Sequence, residues 1–218
     1  MDSSVSPSSP RLLVLVGSPR RDGNSALLAQ AVERGAQQAG TPVAVHFLDD
    51  FISGFLRDER AGDAVAQPDD RYGELFLDLF LPAQGIVFCT PVYWYGMSAQ
   101  TKAFFDRSFT YYAASHPRSR KVLAGMADKR LGLTLASEES YPGAGMGITH
   151  QIQEFARYTH SQFVGVVHGI GNSRGEVARD PRQPLAAAEA LGREFFTLGY
   201  SDYRLDTPRE HHVWGHGK

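Results

Sequence analysis

Five short apolar runs alternate with five longer segments of helical spacing, and this alternation narrows the possible folds more than any other feature of the chain. The runs are Arg11 to Gly17, Pro42 to Leu48, Gly85 to Thr90, Arg130 to Ser137 and Gln162 to Ile170. Each is strand-length and carries branched aliphatic residues, so each reads as a buried strand. The helical patterns are Ser25 to Gly40, Arg71 to Ala83, Ser98 to Tyr112, Gly147 to His160 and Pro184 to Tyr200. Helices placed between strands make crossovers, and crossovers make a parallel sheet. The strands are nearly all apolar rather than alternating, so both faces of the sheet must be covered. The expected fold is α/β, a doubly wound five-stranded parallel sheet with helices on both faces. Such sheets bind ligands beyond the carboxyl ends of their strands, at the point where strand order reverses. Attention therefore falls on the loops after strands one, three and four.

A chain of 218 residues suits one sizeable domain. That domain is expected over residues 11–205, after a Ser/Pro-rich disordered arm (1–10) and before a flexible tail (206–218). A net charge of -2 gives no bulk attraction to nucleic acid or to a membrane surface. Cys89 is the single cysteine, which rules out an internal disulfide and fits a reducing, cytoplasmic setting. No segment approaches the roughly 18 apolar residues of a spanning helix. The expectation is a soluble, cytoplasmic protein.

The first loop reads Ser18-Pro19-Arg20-Arg21-Asp22-Gly23-Asn24-Ser25. Asn24 or Ser25 is expected as the N-cap of the following helix. The first N–H groups of a helix lack intrahelical partners and carry partial positive charge. Ser18, Arg20, Asn24 and Ser25 could converge there on one phosphate monoester, with Gly17 and Gly23 allowing close backbone approach. The plainer reading is that Gly, Ser, Pro and Asn are turn formers. Neither the Walker spacing nor G-x-G-x-x-G occurs in this loop, and no cysteine precedes an arginine in it. The second loop carries Tyr93, Trp94 and Tyr95 in succession after strand three. Three consecutive rings cannot all turn inward, so at least one is exposed at the sheet edge. It could stack on a planar heterocycle, or serve as a hydrophobic plug or dimer contact. A phosphate site beside a platform for a flat ring describes flavin mononucleotide.

GSPRRDGNS followed by TPVYWYGMSAQTKAFFDR resembles the flavodoxin-like, FMN-dependent NAD(P)H oxidoreductase family, over about Leu12 to Tyr200. The similarity is greatest to the branch of NADPH-dependent FMN reductases and iron-sulfur flavoproteins. The resemblance implies a strand order of 2-1-3-4-5, FMN as cofactor and NAD(P)H as co-substrate. It implies Ser18, Arg20, Asn24 and Ser25 at the FMN phosphate. Pro91, Val92, Tyr93, Trp94, Tyr95 and Gly96 would lie beside the isoalloxazine, and Ser137 and Glu138 at its pyrimidine end. It also implies ping-pong transfer to a quinone, nitroaromatic, azo or flavin acceptor, and a homodimer. The iron-sulfur members' cysteine cluster has no counterpart between Asp49 and Asp70, which reads as a polar loop, so no such centre is expected. A flavodoxin-type electron carrier and a non-catalytic flavin-binding protein are the rival readings. Flavodoxins tend to be strongly acidic, and this chain is not.

Other features carry less. Ser115 to Lys121 reads as a solvated basic loop, with contact to a nicotinamide dinucleotide's 2′-phosphate as its alternative. The histidines between His211 and His216 read as part of a flexible tail that would bind a transition metal only adventitiously, so no metal site is assigned. Cys89 reads as an inert core residue.

Overall fold

The computed structural model describes residues 12–57 and 66–199. The expected N-terminal arm and C-terminal tail lie outside these residues, as does part of the loop between Asp49 and Asp70. Among the described residues six strands form: β1 (Leu12–Val16), β2 (Val43–Phe47), β3 (Gly85–Tyr93), β4 (Gly96–Met97), β5 (Arg130–Ser137) and β6 (Gln162–Ile170). Five of them pair in parallel in the order β2-β1-β3-β5-β6, and the two-residue β4 pairs with β3. With β4 set aside, this is the expected 2-1-3-4-5 order.

The unbroken apolar character of β1 has a direct explanation. Leu13 and Leu15 pack into one core with Phe76, Phe88, Phe104 and Ile148, while Leu12, Val14 and Val16 pack into a second with Leu28, Val32, Ala188 and Phe195. Successive side chains point to opposite faces, and helices cover both. One face carries α2 (72–80), α3 (Ala99–Tyr112) and α5 (Met146–Tyr158); the other carries α1 (Asn24–Gln38) and α6 (Pro184–Glu194). The segment α2 begins as one α-turn, Tyr72–Glu74, and continues as a π-helix, Leu75–Phe80. Its Tyr72, Phe76 and Phe80 rings stack in succession beneath Phe104.

Several local expectations need correction. The stretch expected to be a solvated loop contributes its last residues to a helix, α4 (Ser119–Met126), whose Val122 and Met126 are buried. Strand β3 does not stop at Thr90 but runs to Tyr93, and the supposed second loop is a tight hairpin into β4. Helix α6 ends at Glu194 rather than Tyr200. The loop from Asp49 opens with a 3₁₀ turn, Leu48–Asp50, and its far end is pinned by a buried ion pair between Asp70 and Arg107. Arg107 Nη2 donates to Asp70 Oδ1 at 2.8 Å, and the guanidinium lies 4.4 Å from the centre of the Tyr72 ring.

Candidate functional site

At the reversal of strand order, between β1 and β3, the carboxyl ends of the strands open into a cleft of about 240 Å³. The chain builds it from four loops. Ser18, Arg20, Gly23, Asn24 and Ser25 supply one end, and Pro91, Val92 and Tyr93 supply the end of β3. Ala136, Ser137 and Glu138 come from the end of β5, and Gly171 to Arg174 come from the segment after β6.

The first loop is seated by buried hydroxyls beneath it. Gly17 N–H donates to the Cys89 carbonyl at 2.8 Å, and Ser98 Oγ donates to the Gly17 carbonyl at 2.6 Å. Ser98 also caps α3, accepting from Thr101 N–H at 3.2 Å. A Cβ at position 17 would lie 1.9 Å from Thr101 Oγ1, so the glycine answers to α3, not to a ligand. The expected N-cap is also displaced: Gly23 occupies it, in extended backbone, and no side chain caps α1. The first turn of α1 thus faces the cleft with its N–H groups uncapped by the protein's own side chains.

Ser25 is 2 % exposed, lines the cleft, and its hydroxyl makes no hydrogen bond to any described residue. Ser18 Oγ, also buried, accepts from Arg20 N–H at 3.2 Å, which leaves its own proton available to a ligand. The two arginines diverge. Arg21 pairs with Asp50 and lies 4.2 Å from the centre of the Phe47 ring, turned toward β2, whereas Arg20 lines the cleft.

Asn24 has a different occupation from the one expected. Its Nδ2 donates to the carbonyls of Gly171 (2.8 Å) and Ser173 (3.1 Å), and its Oδ1 accepts from Val177 N–H at 3.2 Å. With both amide protons and the oxygen engaged, the side chain ties the segment after β6 to the start of α1. A Cβ at Gly171 would sit 2.7 Å from Val177 N and 2.9 Å from Asn24 Nδ2, so this junction requires glycine.

At the other end, Ser137 Oγ lies 2.8 Å from the Glu139 carbonyl and 2.7 Å from His168 Nε2. One hydroxyl proton cannot serve both, so when Ser137 donates to Glu139, His168 must donate from Nε2. Burial pushes the His168 pKa down, and Arg182 adds to this against the opposing pull of Asp180. Glu138 Oε1 accepts from Asn172 Nδ2 at 3.2 Å, bridging the loops after β5 and β6.

Of the residues expected around the ring, Pro91, Val92 and Tyr93 line the cleft, while Trp94, Tyr95 and Gly96 do not. Trp94 and Tyr95 form the hairpin tip, both left-handed at φ 49° and 62°, and Trp94 is 96 % exposed. The Tyr95 phenol faces Glu139 and Tyr141, and the Glu139 carboxylate is the leading cause of its raised pKa. The two tyrosine rings lie 6.3 Å apart. Gly171 to Arg174 went unread in the sequence, although GNSRG after an apolar strand carries the same turn and anion-binding residue types as the first loop. Among the described residues no group of three or more His, Cys, Asp or Glu side chains could hold a metal ion.

A family model described as the flavodoxin-like fold matches residues 10–192. The chain belongs to this flavodoxin-like family. A Bacillus subtilis (strain 168) protein named as an NAD(P)H-dependent FMN-containing oxidoreductase, YwqN, is 26 % identical over 182 residues, which is 83 % of this chain and 96 % of that one. Among solved structures, a Trp repressor binding protein from Bacillus subtilis superposes with a TM-score of 0.65 at 24 % identity, covering 83 % of this chain and 98 % of its own. An NAD(P)H:quinone oxidoreductase from Methanothermobacter marburgensis gives 0.60 at 19 %, covering 86 % and 98 %. Among the described residues of this flavodoxin-like chain, no helix is long and apolar enough to cross a membrane.

Proposed function

We propose that this chain is an NAD(P)H-dependent oxidoreductase that binds FMN in the four-loop cleft and reduces a small-molecule acceptor of the quinone, nitroaromatic, azo or flavin class. The observation that carries the reading is the cleft's change of character from end to end. Around the start of α1 it is lined by hydroxyls, uncapped N–H groups and Arg20, with no carboxylate in that lining; around β3 and β5 it is lined by Pro91, Val92, Tyr93 and Ala136, with Ser137 and Glu138 beyond them. The first set suits a phosphate monoester, and the second suits the edge and face of a flat ring. The relative named for FMN and NAD(P)H supports the same assignment.

Bound FMN supplies hydride acceptance and release. The chain's own residues bind and orient it. Ser18 and Ser25 offer hydroxyl protons, and Arg20 offers charge-assisted hydrogen bonds. The segment Ala136 to Glu138 would border the pyrimidine end, where its backbone N–H donors would favour developing negative charge. An adjoining cleft of about 420 Å³ shares Glu138, Gly171 and Asn172 with the first and gives a co-substrate room beside the flavin. On the family resemblance we extend the reading to a cytoplasmic homodimer; a monomer mass in sedimentation velocity overturns the dimer.

The test is the visible spectrum of the purified protein, with the chromophore released by heat and identified, followed by NADPH oxidation with menadione. FMN with rapid turnover supports the reductase. FMN without turnover favours the carrier or the non-catalytic flavin protein, and a chain that neither retains nor binds added FMN overturns the proposal. Ser18→Ala combined with Arg20→Ala is expected to weaken FMN retention, since hydrogen bonds to charged groups contribute about 1.5–3 kcal/mol each.

A further inference from the structure

Besides Arg20, one other arginine borders the phosphate end of the cleft. Arg174 is carried there by the segment after β6, and Asn24 fixes that segment through the carbonyls of Gly171 and Ser173 on Arg174's N-terminal side and Val177 N–H on its C-terminal side. The Arg174 guanidinium reaches across the first loop to Asp22, donating from Nη1 to Oδ2 at 3.1 Å. Both side chains of this pair are about two-thirds exposed, at 64 % and 66 %. Exposed pairs of this kind contribute little to stability. The Asp22 carboxylate is also the only charged partner Arg174 has among the described residues.

We infer that Arg174 is a second phosphate-binding arginine, positioned by Asn24 and held by Asp22 until a phosphate dianion competes for it. The inference rests on the reading of the cleft as an FMN site. Asp22 is then a specificity-determining residue of opposite sign: its carboxylate occupies the guanidinium that the phosphate needs and repels the incoming dianion. A guanidinium binds phosphate by paired N–H donors, whereas one exposed carboxylate engages it through a single contact here, so the exchange favours the phosphate. The arrangement bears on the phosphate alone, so it discriminates FMN from riboflavin without touching the ring.

Paired titrations with FMN and riboflavin, followed by flavin fluorescence, test this on the apoprotein of the wild type and of Arg174→Ala, Arg174→Lys and Asp22→Asn. Circular dichroism of each variant checks the fold. Arg174→Ala is expected to weaken FMN about tenfold, with riboflavin unchanged within about twofold and Arg174→Lys intermediate. Asp22→Asn is expected to tighten FMN by about two- to fivefold, the range an exposed ion pair supplies, again leaving riboflavin unchanged. Equal loss of both flavins in Arg174→Ala, or an unchanged preference for FMN, overturns the assignment of Arg174. A wild type that binds neither flavin overturns the cleft reading with it, whereas wild-type binding with an unaltered Arg174→Ala overturns this inference alone.

Discussion

The hairpin tip sets local conformation against side-chain identity. Trp94 and Tyr95 join β3 to β4 with φ of 49° and 62°, the left-handed pair that a two-residue hairpin demands. Such turns favour Asn-Gly, because a Cβ there costs about 1–2 kcal/mol against the carbonyl oxygen, a cost glycine avoids and the short polar side chain of asparagine offsets by hydrogen-bonding locally. At 96 % exposure, Trp94 recovers almost none of that through burial. Trp94→Asn is therefore expected to stabilise the fold by about 1 kcal/mol, which for a chain of this size raises Tm by about 2–4 °C. Scanning calorimetry against Trp94→Phe isolates the cause, since phenylalanine keeps the strain while changing the ring and is expected to leave Tm unmoved. A Trp94→Asn protein no more stable than Trp94→Phe refutes the claim of backbone strain. If the tip is kept aromatic for a planar acceptor, the stabilised variant will retain its flavin and show a raised KM for menadione. Strain held against the fold's interest concentrates at functional surfaces.

Three further outcomes follow from groups away from the hairpin. Lys129, 4 % exposed, donates to the Leu81 and Ala83 carbonyls, and burial lowers its pKa to about 8 against 10.5 unfolded; the unfolded chain therefore binds more protons between these values, and wild-type stability relative to Lys129→Met should rise by about 1–3 kcal/mol as pH climbs from 8 to 10.5 in urea denaturation. Burial pushes the Asp70 carboxyl up, but hydrogen bonds from Arg107 and from the Ser53 and Tyr72 amides outweigh it and hold its pKa below 3.8. Arg107→Met should accordingly cost about 3–5 kcal/mol at pH 7 by stranding that carboxylate, and the difference from wild type should shrink as pH falls below 3.8, as read by denaturant midpoints. Asn24→Asp keeps the shape but turns both donors into acceptors facing the Gly171 and Ser173 carbonyls; it should cost about 2 kcal/mol or more in thermal unfolding, despite the general preference for acidic residues at helix starts.

What was legible in the sequence is what local chemistry dictates. The alternation of apolar runs and helical patterns gave the sheet and its cover because burial on both faces leaves β1 wholly apolar and β3 apolar up to Thr90, whose buried hydroxyl is hydrogen-bonded. The features that escaped are those in which a local signal was overruled or cut short. Pro91 reads as a strand terminator, yet β3 continues through it in parallel pairing with Ala136 of β5 and carries Tyr93 out of the assumed loop. The basic run from Ser115 to Lys121 reads as solvated because Val122 and Met126, the apolar residues that make α4 worth folding, lie just beyond it.

The cleft shows why reading single loops reaches only part of a site. Taken within its own loop, Asn24 looks like a phosphate ligand: a small amide at a helix start. Its partners are 147, 149 and 153 residues away in sequence, and together they engage both amide protons and the oxygen of its side chain. That engagement brings the loop after β6, and with it Arg174, against the first loop. With the Asn24 side chain engaged as a clamp, the cleft lined by Ser18, Arg20, Asn24 and Ser25 also gains Arg174, a cation that no local pattern around Asn24 could have announced. The site's chemistry is set by residue type, which a sequence displays, whereas its membership is set by which loops the sheet brings to one edge, and that is a property of strand order.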